Sequence, residues 1–317
     1  MSTTKISVVV PIYNALEDLK VLLESLNKNL DFNICEVFLL NDCSNSETKE
    51  FLEKFTKECT QYKYVKNEEN LGFVKTCNKG MELASGDIVV LLNSDTKIPS
   101  NFCDRVIKCF EFDSSIGIAS PISSCSYLYY IPLREGMDVE QMNKVLIKNH
   151  KSIYPLVPSA EGFCYCIRKE VIEQQGYLDT TWGKGYHEEI DYSYRAITNG
   201  WKNVLIDDLY VYHKSLASFG SKQRNKLIKQ NSIEFSKRWG HFCAEYVQKN
   251  DLSNPIEAIE REMFPNENIS KRILCERSFF EYIFSLKNSF DRRYKILTIF
   301  GVSIKWKRRG KLLLSKV

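Results

Sequence analysis

NEENLGFVKTCNKGMELASGDIVVLLNSDT, residues Asn67 to Thr96, decides the fold. It runs from a polar loop through a helical stretch and a turn into an apolar strand, and it ends in a cluster of short polar side chains. Ile88, Val89, Val90, Leu91 and Leu92 follow one another without alternation, which suits a strand covered on both faces, as in a parallel sheet. Ligands of such sheets bind beyond the carboxyl ends of the strands, where this strand delivers Asn93, Ser94 and Asp95. An acidic group there, close to a second acid and a histidine, suits a divalent cation held against phosphate oxygens. A plain polar turn is the other reading of the same residues.

The rhythm repeats outward from this segment. Ile6 to Ile12 reads as a short buried strand whose end is marked by Pro11, which cannot donate to a central ladder. Leu16, Leu19, Leu22, Leu23, Leu26 and Leu30 recur at helical spacing, with Asn14 placed as a cap. A strand over about Glu36 to Leu40, a helix over Ser46 to Cys59, a strand near Tyr62 to Val65 and a helix over Phe73 to Ala84 follow. This order predicts an α/β fold with a right-handed, mostly parallel central sheet flanked by helices. Beyond Asn93 come a helix near Asn101 to Phe112 and a strand near Ile116 to Pro121. An irregular stretch from Ser123 to Pro158 carries one helix, over Val139 to Lys148. A strand over Gly162 to Arg168 and helices over Lys169 to Gln175 and Glu188 to Asn199 complete the pattern. From Ser221 onward the chain reads as helical and charged. The expected division is therefore 1–220 for the site-bearing fold, with halves at about 1–96 and 97–220, and 221–317 for a helical C-terminal region with a basic amphipathic tail.

The 317 residues are 26% charged and 44% hydrophobic, an ordinary globular composition. With no apolar run of about 18 residues and a first strand beginning almost at once, neither a transmembrane helix nor a signal peptide is expected, and a cytoplasmic protein is. The 11 cysteines are odd in number and scattered without zinc-type spacing, so reduced thiols are expected. Cys164 and Cys166 are the one close pair, and strand alternation is expected to send them to opposite faces. The net charge of +4 conceals an asymmetry: Lys271 to Val317 carries 13 Lys and Arg against 3 Asp and Glu, and the other 270 residues carry 31 against 37. A mildly acidic body with a basic end argues against a nucleic-acid binder and for a charged terminal patch.

Five constellations carry chemistry. PIYNA, Pro11 to Ala15, ends the first strand, where backbone groups and Tyr13 suit a nucleotide base; an ordinary strand-to-helix turn explains it equally. NDCSN, Asn41 to Asn45, offers Asp42 as acceptor for a base N–H or as a turn residue. Neither has the glycine spacing of a Rossmann or Walker loop. In Asn93 to Asp95 one carboxylate suffices for Mg2+ or Mn2+ when phosphates and water complete the shell. HEEID, His187 to Asp191, follows the glycine-punctuated WGKGY, Trp182 to Tyr186; its acids either favour the helix dipole or include a general base. His213 in VYHKS is a structural hydrogen-bonding group or the partner of Asp95 in a metal site.

Taken in order, PIYNA, NDCSN, NEENLGF through NSD, GFCYCIRKEV, WGKGYHEEIDYSYR and VYH resemble the motif series of the inverting family 2 glycosyltransferases over about residues 5 to 215. NLGF, N-x-G and NSD are most similar to the rhamnosyltransferase-like, O-antigen (lipopolysaccharide) and capsule subgroup of bacterial enzymes. The resemblance implies an A-type glycosyltransferase fold, with a nucleotide-binding half and an acceptor-binding half. It assigns Pro11, Tyr13, Asn14, Asp42, Asn70, Lys75, Asn93, Ser94 and Asp95 to the nucleotide side, Asp95 and His213 to the metal, and Trp182, Gly183 and Tyr186 to the acceptor. Glu189 is implied as the catalytic base, with Glu188 in reserve, while Asp191 and Arg195 support the site. Cys77 stands where many relatives carry arginine, with Lys75 as its substitute, and Asn93 replaces the first acid of the family's D-x-D.

The partners implied are a UDP- or dTDP-sugar donor and a glycan or lipid-linked acceptor, with Tyr127, Tyr129, Tyr130 and Trp182 available to stack on sugar rings. The tail from Arg292, with Ile296, Leu297, Ile299, Phe300 and Trp306 among basic residues, suits the cytoplasmic face of an inner membrane; packing on the body or on a second copy of the chain is the other reading. A non-catalytic nucleotide-sugar-binding or assembly protein of the same fold is the alternative function.

Overall fold

The computed structural model describes residues 4–214 and 221–267, and beyond them the strands at 284–288, 294–299, 302–307 and 311–313. The expected boundary at 220 lies outside the described residues. The chain divides into two compact units, Met1–Met263 and Phe264–Val317.

In the first unit the strands are β1 (Ile6–Ile12), β2 (Cys35–Asn41), β3 (Tyr62–Lys66), β4 (Ile88–Leu92), β5 (Thr96–Lys97), β6 (Ile116–Ser123), β7 (Cys164–Arg168) and β8 (Lys202–His213). They form one eight-stranded sheet in the order β3-β2-β1-β4-β7-β6-β8-β5. The block β3-β2-β1-β4 is parallel throughout. β7 enters antiparallel between β4 and β6, and β8 returns parallel to β6. The sheet is thus mostly parallel and flanked by helices, as expected, with β7 antiparallel to both of its neighbours and β5 antiparallel to β8.

Helices α1 (Leu16–Asn29), α2 (Ser46–Glu58), α3 (Phe73–Leu83) and α4 (Phe102–Phe112) alternate with these strands, and α5 (Val139–Asn149) interrupts the irregular stretch. α5 begins with a capping box, in which the Asp138 side chain accepts from Gln141 N–H and the Gln141 side chain reaches back, satisfying two donors a helix end otherwise leaves open. α3 lies close on the sheet because Gly80 has no side chain: a Cβ there would stand 2.2 Å from Val9 Cγ1 and 3.0 Å from Leu40 Cδ1. Alternate residues of β1 and β4, among them Val8, Val10, Val90 and Leu92, share one core with Leu19, Leu22 and Leu26 of α1. Cys164 and Cys166, expected on opposite faces, both lie in that core, because residues two apart on a strand share a face.

α6 (Lys169–Gln175), a 3-10 turn at Thr180–Trp182 and α7 (Glu188–Thr198) precede β8, and α8 (Ser221–Trp239), α9 (Phe242–Lys249) and α10 (Ile256–Met263) follow it. These last three helices belong to the first unit. The described residues from Ser221 to Met263 are mostly helical, as expected, whereas the described segments from Phe284 on are strands. In the second unit β9 (Phe284–Asn288), β10 (Tyr294–Ile299), β11 (Val302–Lys307) and β12 (Lys311–Leu313) form an antiparallel sheet. The reason is the period: VSIKWK alternates apolar and polar residues every second position, a strand pattern that the many charges obscure. Of the tail residues named above, Phe300 and the arginines lie outside the described residues.

Candidate active site

The site is built where β1, β2, β4 and β8 end. At the end of β1, Asn14 and Ala15 take left-handed conformations, with φ of 59° and 54°. Asn14 donates its N–H to Ser44 Oγ (2.9 Å) and accepts from Asn45 N–H at Oδ1 (2.9 Å). It therefore stitches the PIYNA and NDCSN loops together. It does not cap α1, whose N-cap is Ala15 without a side-chain bond, because its side chain is already engaged across the loops. Tyr13 beside it is 44% exposed.

Asp42 is buried and shapes the next loop. Its Oδ1 accepts from Leu71 N–H (2.8 Å) and Asn67 Nδ2 (3.0 Å), and its Oδ2 from Gly72 N–H (2.9 Å). Asn70 donates to the Asp42 carbonyl (3.3 Å) and accepts from Lys184 Nζ (3.3 Å), a contact between the NLGF and WGKGY loops. Lys75 is exposed on the first turn of α3.

At the end of β4, Asn93 N–H donates to Phe163 C=O (2.9 Å). Thr96 of β5 pairs with His213 of β8, and this register sets Asp95 Oδ1 3.4 Å from His213 Nε2. His213 Nδ1 lies 2.7 Å from the Cys125 carbonyl. A carbonyl can only accept, so Nδ1 carries the proton and the lone pair of a neutral ring sits on Nε2, toward Asp95. The His213 ring also stacks on Phe163, centroids 5.0 Å apart. These residues fit a hard divalent cation: two ligands at about 2.1 Å from one octahedral ion stand about 3 Å apart, and the orienting bond behind the imidazole is the usual support of a metal ligand. Among the described residues no third His, Cys, Asp or Glu completes a cluster, which leaves the remaining positions to phosphate and water. Asn93 and Ser94 stand half-buried at the same strand end.

The start of α7 is strained. Tyr186 and His187 precede it with φ of 73° and 82°, and Gly183 and Gly185 also take positive φ; consecutive non-glycine residues in this region cost energy that the surroundings must hold. The strain aims two carboxylates. Glu188 is buried next to Gly185, and Glu189, half-buried, lies against Gly162, where a Cβ would be 3.5 Å from its Cγ. Burial pushes the Glu188 carboxyl well above the usual range, and the charge of Glu189 adds to the effect. Burial likewise pushes Glu189 up to about 7. Oε2 of each is buried without a hydrogen-bond partner. A desolvated carboxyl that titrates near neutrality is a general base in waiting. Asp191, one turn on, differs: it accepts from Arg195 Nε (3.1 Å), Arg238 Nη1 (2.9 Å) and Trp239 Nε1 (2.9 Å).

The turn before β7 joins the two ends of the site, with Gly162 against Glu189 and Phe163 against His213. Glu161 on the same turn was not singled out by the sequence. Its buried carboxylate accepts from Leu128 N–H (2.7 Å) and Tyr127 N–H (3.3 Å), and only its position before GFCYC could have drawn notice. Trp182, expected against the acceptor, is 1% exposed. It packs instead beneath α8, against Phe235 and the Arg238 guanidinium, because the WGKGY turn folds its indole inward. Tyr129 is likewise core, and Tyr127 is 43% exposed.

A mostly parallel sheet flanked by helices, with Asp95, His213 and Glu189 near its strand ends, is the architecture of an A-type glycosyltransferase. Residues 7–176 match glycosyl transferase family 2, and the chain belongs to that family. The chain is 30% identical over 270 residues to the putative glycosyltransferase EpsH of Bacillus subtilis (83% of this chain, 74% of that protein). It is 24% identical over 256 residues to the amylovoran biosynthesis glycosyltransferase AmsB of Erwinia amylovora (80% and 82%). Its fold is similar to that of the mannosyltransferase PcManGT from Pyrobaculum calidifontis in complex with GDP-Man and Mn2+, with a TM-score of 0.54, 15% identity, and coverage of 83% of this chain and 70% of that one.

Proposed function

We propose that this glycosyltransferase moves a sugar, with inversion, from a UDP- or dTDP-sugar to a hydroxyl of a glycan or lipid-linked acceptor in bacterial surface polysaccharide synthesis. The carrying observation is Glu189, a carboxyl held on strained backbone, without a partner for Oε2, and titrating at about 7. Glu189 takes the proton of the acceptor hydroxyl as that oxygen bonds to the anomeric carbon. The carbon–oxygen bond to the diphosphate breaks on the opposite face, and its electron pair leaves with the phosphate. Asp95 and His213 would hold a divalent metal, Mg2+ or Mn2+, whose charge offsets that developing on the leaving phosphate. Pro11, Tyr13, Asn14 and the loop shaped by Asp42 and Asn70 line the nucleoside. Gly183 and Tyr186 border the acceptor, and the exposed Tyr127 is available to stack on a sugar ring.

AmsB, named for amylovoran biosynthesis, supports the polysaccharide setting, and PcManGT, which holds a nucleotide sugar with Mn2+, supports the donor class and the metal. Among the described residues no helix is long and apolar enough to cross a membrane. The basic residues of the tail from Arg292 among Ile296, Leu297, Ile299 and Trp306 support contact with anionic lipid on the cytoplasmic side. Flotation with anionic liposomes should lose most binding when Arg292–Val317 is deleted; unchanged binding removes the membrane from the proposal. The function itself is tested by thermal stabilisation with a panel of nucleotide sugars, with and without Mn2+. A tight donor raises the melting temperature by linkage, and only UDP- or dTDP-sugars should do so. Stabilisation by none of them contradicts the donor assignment.

A further inference from the structure

We propose that Asn231 of α8 is a positioning residue that clamps the WGKGYH turn and so holds the strained backbone from which Glu188 and Glu189 project. Its Nδ2 lies 3.1 Å from Trp182 C=O, 2.9 Å from Gly185 C=O and 2.9 Å from Tyr186 C=O. One side-chain amide thus gathers three carbonyls that would otherwise repel one another, over a turn in which Gly183, Gly185, Tyr186 and His187 all take positive φ. Strain of that kind persists only where the surroundings over-determine it.

The rest of α8 works toward the same turn. Ser232 Oγ meets His187 Nε2 at 3.3 Å, and Phe235, 1% exposed, packs on the Trp182 and His187 rings. Arg238 ties Asp179 at 2.6 Å and Asp191 at 2.9 Å, so the helix grips the segment at both of its ends. α8 follows the family match, which ends at residue 176, and its sequence bears no motif. Its contacts nevertheless fall on the residues that aim the acids. The bonds at Asn14, Asp42 and Asn67 involve no residue of α8.

The inference rests on Glu189 as the base only for its kinetic consequence, and two readouts keep the questions apart. Hydrogen exchange of the full chain should show residues 183–190 exchanging at least about tenfold faster in Asn231→Asp, which keeps shape and removes the donor, with residues 37–45 unchanged. With the donor selected by thermal stabilisation, kcat should fall about tenfold or more and donor KM should stay within about twofold. In the wild-type protein, exchange in mild denaturant should show 183–190 and 227–239 opening together, a measurement that needs no variant. Unchanged exchange at 183–190 overturns the clamp, as does acceleration to the same extent at 37–45, or separate opening of the two segments in the wild type. If Glu189→Gln keeps full turnover while Asn231→Asp shows the exchange result, the base assignment fails and the clamp stands.

Discussion

The two halves of the molecule treat their buried acids in opposite ways. On the nucleotide side Asp42 is surrounded by donors, and both of its oxygens accept. At the start of α7 Glu188 is buried and Glu189 half-buried, each with a buried Oε2 that has no partner, and both carboxyls are driven upward by desolvation. A satisfied carboxylate rigidifies a loop, whereas an unsatisfied one stores free energy that a reaction can use. On the proposed function the first acid belongs to the scaffold of the site and the second to its chemistry.

The largest effect separating them is on turnover. Glu189→Gln should lower kcat by roughly 10²- to 10⁴-fold and leave donor binding by calorimetry unchanged, whereas Glu188→Gln should retain most activity. The reverse ranking of the two would move the base to Glu188. Asp42→Ala should act on stability, because three donors lose their acceptor at a cost of roughly 3 kcal/mol, read as a lower melting temperature. A variant as stable as wild type would break the contrast at its scaffold end.

The converse holds for Glu189. Its folded value of about 7 lies above the ordinary 4.5, so ionisation opposes folding. The penalty is absent below about pH 4.5, grows with pH, and is constant above about 7. Glu189→Gln should therefore be more stable than wild type at pH 8, by roughly 3 kcal/mol, and equally stable at pH 4. His213→Ala should weaken the response to Mn2+ roughly 10- to 100-fold, measured by metal titration of turnover. The smallest effect concerns His150, whose ring pairs with Asp207 and Glu262. The Asp207 hydrogen bond, with that of Glu262, raises it from 6.5 to about 9. Its stabilisation is complete below about pH 6.5 and is lost as pH rises through 9, so His150→Gln should flatten the melting temperature between those limits.

Most of the parallel half could be read from the sequence because its strands are continuous apolar runs and its helices carry leucines at regular spacing. The reversal of β7 could not, since strand direction leaves no mark on a five-residue segment. Asp95 and His213 were recognisable as a pair, and β5 and β8 supply the register that joins them. Trp182 misled because an aromatic beside glycines reads as a sugar platform, and only α8 reveals that its ring is covered. Glu161 and Asn231 carry no motif, for their roles consist of backbone groups brought to them by folding. The C-terminal strands were hidden by their charge density, which reads as a helix surface unless the period is counted.

The most direct test of the account is the pH profile of kcat/KM for sugar transfer by the wild-type protein beside that of Glu189→Gln. The account predicts a wild-type acid limb with an apparent pKa of about 7, the value burial gives Glu189, and a flat profile, 10²- to 10⁴-fold lower, for the variant. An acid limb that survives unchanged in Glu189→Gln would contradict it.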